Sequence, residues 1–396
     1  MSVFHSKISL MGSAAAVGFH MLMEKTFQTG SQRESSIPAG FSEMTTQWLS
    51  TVLCKNVEGA EVLSFRLDKP SNGTTSRALV HLTYNEEGTS AGLPTRVFAK
   101  STVRFTERLT ARFTLAPVME SIFFNHIQSE LADLETTEAY FSGYELPSCR
   151  SMILMKYLEH CSYTNPTSYI SLENARDMMS LLARVHARFW NSPRFESDLA
   201  MIKSSCEYQN VLNGLSFEER HDVGIDRAAK VIHPEILKRR SELFSACMTS
   251  LRLQDQFSQT LLHNDVHIGN WYRTAENRMG LCDWQGLVKG NFACDIAYAL
   301  GSALTIEDRR AWERALIAHY LDVLREEGVT EAIDLEKAWL HYRQQYFHAL
   351  VFWTFTIGAG KLQSDMQPDE YSLINLERIT TAMADIDSLG SLGKRQ

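Results

Sequence analysis

The stretch LLHNDVHIGNWY constrains this chain more than any other, because it fixes the separation of two side chains with complementary chemistry. Asp265 is followed five positions later by Asn270, and His263 precedes both. A carboxylate can accept the proton of an attacking hydroxyl, and a neutral amide oxygen nearby can help to hold Mg²⁺. Asp265 is therefore a candidate proton acceptor, and Asn270 is a candidate metal ligand.

A second carboxylate, Asp283, follows a short apolar run that has the pattern of a strand. The segment Ala275–Arg278 is expected to form the turn that joins this strand to a strand starting at Asn270. If Glu276 and Asn277 are the two turn residues, strict antiparallel pairing sets Asn270 directly opposite Asp283. Directly opposed side chains have Cβ atoms about 4.5–5.5 Å apart, close enough to share a cation. We therefore expect Asp283 to complete the metal site.

The N-terminal third of the chain has the pattern of a sheet followed by a helix. Apolar and polar residues alternate over Glu61–Asp68 and Arg77–Tyr84, and the turn-forming letters PSNGTTS lie between them, which predicts a hairpin. The run TRVFAK predicts a third strand that ends at Lys100. Pro117 is suited to a first helical turn, and the apolar spacing after it predicts a helix that carries Glu120.

The rest of the chain is predicted to be mainly helical. A short apolar strand at 151–158 precedes a strong amphipathic helix at 172–189. Residues 195–259 are polar and mostly helical in pattern, which we interpret as an inserted helical cap. The segments 306–327 and 335–362 are again helical.

Composition excludes several classes of protein. With 44% hydrophobic and 22% charged residues, the chain has an ordinary globular composition, and it is long enough for two lobes. Its formal charge of -8, without blocks of basic residues, argues against a nucleic-acid partner. Seven cysteines form no CxxC pair, which favours reduced thiols in a cytoplasmic protein over disulfides or a zinc knuckle.

The N-terminal segment needs a separate interpretation. The apolar run Ser9–Met23 is similar to the core of a signal peptide, but Gly12, Ser13 and His20 interrupt it. We therefore expect a structural segment, followed by a Gly/Ser/Pro-rich linker up to residue 40. Elsewhere no stretch of about 20 apolar residues occurs, so a membrane-spanning helix is not expected.

The motif HNDVHIGN resembles the HxDxHxxN signature of the superfamily of aminoglycoside phosphotransferases and choline and ecdysteroid kinases. It differs from the protein-kinase motif in having His267 after the aspartate. The letters DWQ, followed by Gly290 and Asp295, and the helix ARVHARFW at 183–190 resemble the same superfamily, in which this aspartate is structural. The resemblance covers about Glu61–Tyr320.

This resemblance implies an α+β, bilobal protein-kinase-like fold. The N-lobe would be an antiparallel sheet plus a helix, and the larger, mostly helical C-lobe would carry a catalytic hairpin. We expect the nucleotide-binding lobe at 1–155, with an arm at 1–40, and the helical lobe at 156–396, with the cap at about 195–260.

The resemblance also assigns the nucleotide site. Lys100, paired with Glu120, would contact the phosphates of ATP. A loop over the phosphates would lie at 71–76, and a hinge at 155–158 would meet the adenine through its backbone. The site residues implied in this way are Ser71, Gly73, Thr74, Met155 and Tyr157. Asp265 would be the catalytic base, and Asn270 and Asp283 would bind Mg²⁺.

The expected function is Mg-ATP-dependent transfer of a phosphoryl group to a small hydroxylated molecule. No Ala-Pro-Glu segment follows Asp283, which argues against a protein substrate. Two alternatives stay open: a nucleotide-binding pseudokinase without turnover, and a zinc-dependent hydrolase that uses His263, Asp265 and His267. The aromatic residues between 342 and 355 are interpreted as core. The sequence leaves the identity of the acceptor and the oligomeric state open.

Overall fold

The computed structural model describes residues 3–27, 36–71, 73–214, 216–360 and 366–393. Contacts divide the chain into two compact units, of which the first contains 1–129 and 137–159 and the second contains 130–136 and 160–396. All of the predicted nucleotide-binding residues therefore lie in the first unit. The predicted base and the predicted metal ligands lie in the second.

The first unit is built on a five-stranded antiparallel sheet with the strand order β1-β2-β3-β5-β4. Its strands are β1 (Val62–Leu67), β2 (Ser76–Tyr84), β3 (Arg96–Ser101), β4 (Ala139–Glu145) and β5 (Arg150–Lys156). Its helices are α1 (Val3–Phe27), α2 (Thr46–Leu53), α3 (Glu86–Ser90), α4 (Phe105–Thr114) and α5 (Ala116–Ile122). The predicted hairpin, the third strand with Lys100 and the helix with Glu120 are all present.

Strand β4 and helices α2, α3 and α4 of this unit were not predicted. Of these elements, β4 and α4 lack the apolar periodicity that reveals strands and helices. Strand β4 is half-buried along its whole length, and its sequence, AYFSGYE, shows no alternation of apolar and polar residues. Helix α4 buries Glu107, Arg108 and Ala111, which means that its inner face is mostly charged. Arg108 ion-pairs with Glu24 of α1 at 2.7 Å and donates to the carbonyl of Ala39 at 2.9 Å.

The sheet presents two different faces. One face packs against α2 in a core that contains Trp48, Val80, Val97 and Leu154. The opposite face carries Lys100, together with the partly exposed side chains of Leu79 and Phe98. Helix α1 contains the apolar run of the N-terminal segment, while residues 28–35 of the predicted linker lie outside the described residues.

The second unit is mainly helical, as predicted. Its helices are α6 (Leu172–Arg188), α7 (Ser205–Asn213), α8 (Phe217–Ala228), α9 (Pro234–Leu237), α10 (Arg240–Gln254), α11 (Ala293–Ala303), α12 (Ile306–Glu326), α13 (Leu335–Gln344), α14 (Tyr346–Ile357), α15 (Asp369–Asp385) and α16 (Ser388–Ser391). Its short strands are β6 (Ser162–Tyr163), β7 (Thr260–Leu262), β8 (Trp271–Arg273), β9 (Met279–Leu281) and β10 (Val288–Gly290). The predicted helix 335–362 is divided at Gln345 into α13 and α14.

The aromatic residues of α13 and α14 are mostly core, as predicted. The buried aromatic residues are Tyr342, Tyr346, Phe347 and Trp353, whereas Phe352 and Phe355 are partly exposed. Of the helices in the described part of the chain, none combines the length and the apolar character that a membrane crossing requires.

Buried neutral histidines should make this unit sensitive to acid. Burial lowers the pKa of His221 and of His341 to about 4 each, while the unfolded chain titrates near pH 6.5. Between these values the unfolded state binds more protons, so stability that is complete above about pH 6.5 falls as the pH drops toward 4. Each histidine contributes a slope of about 1.4 kcal/mol per pH unit in this window.

Urea unfolding at pH 7.5, 6.0 and 5.0 measures this dependence. His221→Gln should remove part of the slope, whatever it does to the stability at pH 7.5. An unfolding free energy that is equal at pH 7.5 and 5.0 would contradict the prediction.

Candidate active site

The loop that follows β7 is anchored by hydrogen bonds to a buried carboxylate. Asp295, on α11, is fully buried and accepts the backbone N–H groups of His263 at 2.8 Å and Asn264 at 2.9 Å. Asn264 adopts a left-handed conformation with φ of 65°, which asparagine tolerates better than most residues. His348 of α14 contacts the carbonyl of Asn264 through Nε2 at 2.8 Å. The loop is therefore fixed immediately before Asp265.

His263 has structural partners on both ring nitrogens. Its Nδ1 accepts the N–H of Asp265 at 3.3 Å, and its Nε2 donates to the carbonyl of Cys282 at 3.0 Å. Burial lowers the pKa of this imidazole, which favours the neutral form. Because neither nitrogen offers a lone pair to a metal, the hydrolase alternative loses one of its ligands. Within the described residues, no group of three His, Cys, Asp or Glu side chains is arranged to hold a metal ion.

The amide of Asn270 has a defined orientation. Its Nδ2 donates to the carbonyl of Asp265 at 2.7 Å. Since a carbonyl can only accept, the NH₂ group must make this contact, and Oδ1 points away from it. His267 supports the same segment, because its Nδ1 accepts the N–H of Gly269 at 3.0 Å. The second imidazole nitrogen of His267 lies 3.8 Å from Oδ1 of Asp265.

The predicted pairing of Asn270 with Asp283 is wrong by one residue. Strands β8 and β9 pair Trp271 with Leu281, and the N–H of Cys282 donates to the carbonyl of Asn270 at 2.9 Å. Asn270 is thus opposite Cys282.

The cause is the turn, which has three residues instead of two. The N–H of Thr274 donates to the carbonyl of Arg278, and Asn277 between them adopts a left-handed conformation with φ of 63°. A left-handed last residue is characteristic of three-residue hairpin loops.

Asp283 nevertheless lies in a segment that is joined to the catalytic loop. Its own backbone is left-handed, with φ of 65°, so the chain turns out of β9 at this residue. On one side of it, the carbonyl of Cys282 contacts His263. On the other side, a Cβ on Gly286 would come within 2.9 Å of the carbonyl oxygen of His263 and 3.3 Å of the Cβ of Asp265. Glycine permits this close approach of the two segments.

Four residues near Asp265 were not predicted as site residues. Burial, together with the adjacent carboxylate of Asp265, raises the pKa of Tyr298 well above its usual value. Tyr208 of α7 is affected in the same direction by the same two causes. Trp353 of α14 packs edge-on against His267, with ring centroids 5.3 Å apart. Together with His348, described above, these residues place aromatic side chains beside Asp265 or against its neighbours in the loop.

One of these four left a local signal in the sequence. Tyr298 lies three positions after Asp295 on α11, and residues at this spacing share one helix face. The other three come from α7 and α14, which are distant in sequence and therefore gave no such signal.

In the first unit, the predicted Lys100–Glu120 pair is formed. The Nζ of Lys100 lies 2.7 Å from Oε2 and 3.0 Å from Oε1 of Glu120, and both side chains are buried. Because the pair is buried, loss of either partner would leave an unpaired charge in the interior and would destabilise the fold more than loss of a surface ion pair.

Two rows of side chains cross the face of the sheet that carries Lys100. Directly paired residues share a face, and the ladder pairs Leu79 with Phe98 and Phe98 with Met155. This apolar row lies two residues along the strands from a second row, which consists of Arg77, Lys100 and Ile153. An apolar row next to a row that contains the cations of Arg77 and Lys100 suits a base attached to phosphates. We call the second row the cationic row.

The predicted phosphate loop and hinge lie at the ends of these strands. Ser71 and Arg77 exchange two backbone hydrogen bonds of 2.9 Å, which close the loop that contains Gly73 and Thr74. Tyr157 follows β5, and the guanidinium of Arg96 lies 5.0 Å above the centre of its ring. A role of these residues in nucleotide binding stays a prediction.

Comparison with known proteins identifies the fold. A family model described as the phosphotransferase enzyme family matches residues 118–332. A candidate aminoglycoside phosphotransferase from Ralstonia eutropha JMP134 aligns with a TM-score of 0.51 and 13% identity, over 89% of this chain and 99% of that chain. Choline kinase LicA from Streptococcus pneumoniae aligns with a TM-score of 0.46 and 16% identity, over 82% and 94%. No protein of curated function matches the sequence. At these identities the structures bear on the fold alone, and the predicted protein-kinase-like fold is confirmed.

Proposed function

Because the chain belongs to the phosphotransferase enzyme family, we propose that it transfers the γ-phosphoryl group of ATP, with Mg²⁺, to a hydroxyl of a small molecule. The orientation of the Asn270 amide carries this proposal. Its NH₂ group is held by the carbonyl of Asp265, so its oxygen is presented by the loop that also carries the base. An amide oxygen and a carboxylate are the hard ligands that Mg²⁺ prefers.

Four residues of the second unit have defined roles in the proposed reaction. Asp265 orients the acceptor hydroxyl and takes its proton as the oxygen attacks phosphorus. Asn270 and Asp283 are the residues that would hold Mg²⁺. When bound, the ion neutralises charge on the phosphate oxygens. The neutral imidazole of His263 keeps the backbone of Asp265 in place, since it accepts that N–H.

The residues of the first unit would bind the nucleotide. Lys100 offsets negative charge on the phosphates, and Glu120 holds it in position. Met155 belongs to the apolar row on which the base would lie, and the backbone near Tyr157 would meet its edge. Ser71, Gly73 and Thr74 would cover the phosphates. In phosphoryl transfer such positioning and electrostatic stabilisation supply most of the rate enhancement.

A transfer assay tests the proposal. Purified protein is incubated with ATP and a broad panel of hydroxylated metabolites, with Mg²⁺ or with excess EDTA, and both ADP and phosphorylated acceptor are quantified. We expect at least one acceptor to be phosphorylated in equal amount to ADP formed, and only with Mg²⁺. Mg-dependent ATP binding without transfer to any compound would favour the pseudokinase alternative.

The buried ion pair provides a second test. Lys100→Met or Glu120→Gln alone leaves one charge buried without its partner, and each should cost about 3–5 kcal/mol of stability. The double variant removes both charges and should recover most of this loss. Its affinity for Mg-ATP should stay at least about tenfold lower, because an ionic contact to phosphate is missing. Urea unfolding and calorimetric titration measure the two effects.

A surface pair of the same residue types is the matched control. Lys156 and Glu138 are half-exposed and lie 3.2 Å apart, so Lys156→Met with Glu138→Gln should change stability by less than about 1 kcal/mol. Wild-type affinity for Mg-ATP in the Lys100→Met/Glu120→Gln variant would show that the buried pair is structural and does not bind phosphate.

A further inference from the structure

Two guanidinium groups lie at the predicted phosphate loop and have no part in the proposed function as stated so far. They belong to Arg77, the second residue of β2, and to Arg104, which immediately precedes α4. Both approach Gly73, although they come from different elements of the first unit. We call Arg77 and Arg104 the arginine pair.

Arg77 folds back along the loop. A Cβ built on Gly73 would lie 3.8 Å from Nη1 of Arg77, so the guanidinium is next to Gly73. The ladder also pairs Arg77 directly with Lys100, which puts the two side chains on the same face of the sheet. The cationic row is thus extended from Lys100 toward Gly73.

Arg104 reaches the same glycine through the backbone carbonyl. Its Nη2 donates to the carbonyl of Gly73 at 3.4 Å, and its Nε donates to Oε1 of Glu107 at 3.0 Å. Glu107 is itself buried and accepts the hydroxyl of Ser76 at 2.9 Å. Through this carboxylate, Arg104 and the first residue of β2 are fixed to one another. The guanidinium is therefore positioned in advance, while its side chain stays 41% exposed and accessible to a ligand.

The composition of the loop makes these arginines significant. Glycine-rich phosphate loops let backbone N–H groups approach the ligand closely, but the segment 71–76 contains one glycine. A guanidinium offers several N–H donors in a rigid fork that matches phosphate oxygens, and it keeps its charge at any physiological pH. Side chains can therefore supply the donors that this backbone supplies less well.

We propose that the arginine pair binds the phosphate chain of the nucleotide, so that this loop recognises phosphate mainly through guanidinium groups. The ligand class is a nucleoside di- or triphosphate, and a nucleoside without phosphates would gain nothing from the pair. The inference rests on the proposed function, because it assigns further binding residues to the same nucleotide site.

Calorimetric titration with Mg-ATP, ADP and adenosine tests the inference. Arg77→Ala and Arg104→Ala should each weaken Mg-ATP binding by about 10- to 100-fold, since each loses a charged hydrogen bond to phosphate. Their affinity for adenosine should stay within about twofold of wild type. Arg77→Lys should recover part of the loss, because it restores charge without the fork. Arg104→Gln provides a second variant if removal of the whole side chain disturbs Glu107.

Arg66→Ala is the matched control, because Arg66 lies on the neighbouring strand and is mostly exposed, with Asp68 as its ion-pair partner. It should leave the affinity for all three ligands unchanged. Unaltered Mg-ATP affinity in a folded Arg77→Ala/Arg104→Ala variant would show that the arginine pair does not bind the phosphates. The proposed function would not be affected by that result. A wild-type protein that binds no Mg-ATP at all would instead overturn the proposed function, and the inference with it.

Discussion

Replacement of Asp265 by asparagine is expected to lower turnover by about 10²- to 10⁴-fold, which is the usual contribution of a positioned general base. The substitution keeps the shape of the side chain but removes its ability to take the acceptor's proton. The backbone contacts of this residue, from its N–H to His263 and from Asn270 to its carbonyl, do not depend on the carboxylate. The fold and the affinity for Mg-ATP should therefore be nearly unchanged.

Single-turnover kinetics with a responsive acceptor, together with calorimetry and urea unfolding, separate these effects. Asp322→Asn is the control, because Asp322 is an exposed residue of α12 that ion-pairs with Arg325. It should leave all three quantities unchanged. Wild-type turnover by the Asp265→Asn variant would show that Asp265 is not the catalytic base.

A large loss of stability is also expected for Asp295→Ala. This carboxylate is fully buried and accepts the N–H groups of His263 and Asn264, and it lies 3.4 Å from Nε2 of His186. Alanine would leave two buried backbone donors without an acceptor, at about 1–3 kcal/mol each. We expect the unfolding free energy to fall by about 3 kcal/mol or more, and activity to fall because the loop before Asp265 is no longer fixed.

Urea unfolding at pH 7.5 measures this loss. Asp322→Ala is the control, and as an exposed residue it should stay within about 0.5 kcal/mol of wild type. Asp295→Ala with wild-type stability would mean that other groups, or water, satisfy the two N–H groups. The structural role implied by the resemblance would then be wrong.

Local patterns of the sequence predicted the elements that carry most of the site. Alternation placed Lys100 on a strand, and helical spacing placed Glu120 on the helix that follows, and the structure joins them by a buried contact. The order of these residues relative to Asp265 and Asn270 pointed to the fold. Such signals survive in a single sequence because each depends on neighbours within a few positions.

The errors came from backbone conformation and long-range packing. The register between β8 and β9 depends on whether the turn has two or three residues, which is decided by the left-handed conformation of Asn277. Helix α4 was missed because its buried face contains Glu107 and Arg108, whose partners lie outside the helix. No periodicity reveals a buried face that is stabilised by ion pairs and hydrogen bonds.

A structure of the protein with Mg²⁺ and a non-hydrolysable ATP analogue tests the central claim most directly. We expect Mg²⁺ to be bound by Oδ1 of Asn270 and a carboxylate oxygen of Asp283 at about 2.0–2.1 Å, together with phosphate oxygens. The carboxylate of Asp265 should face the terminal phosphate. A metal–nucleotide complex that contacts neither Asn270 nor Asp283 would contradict the account.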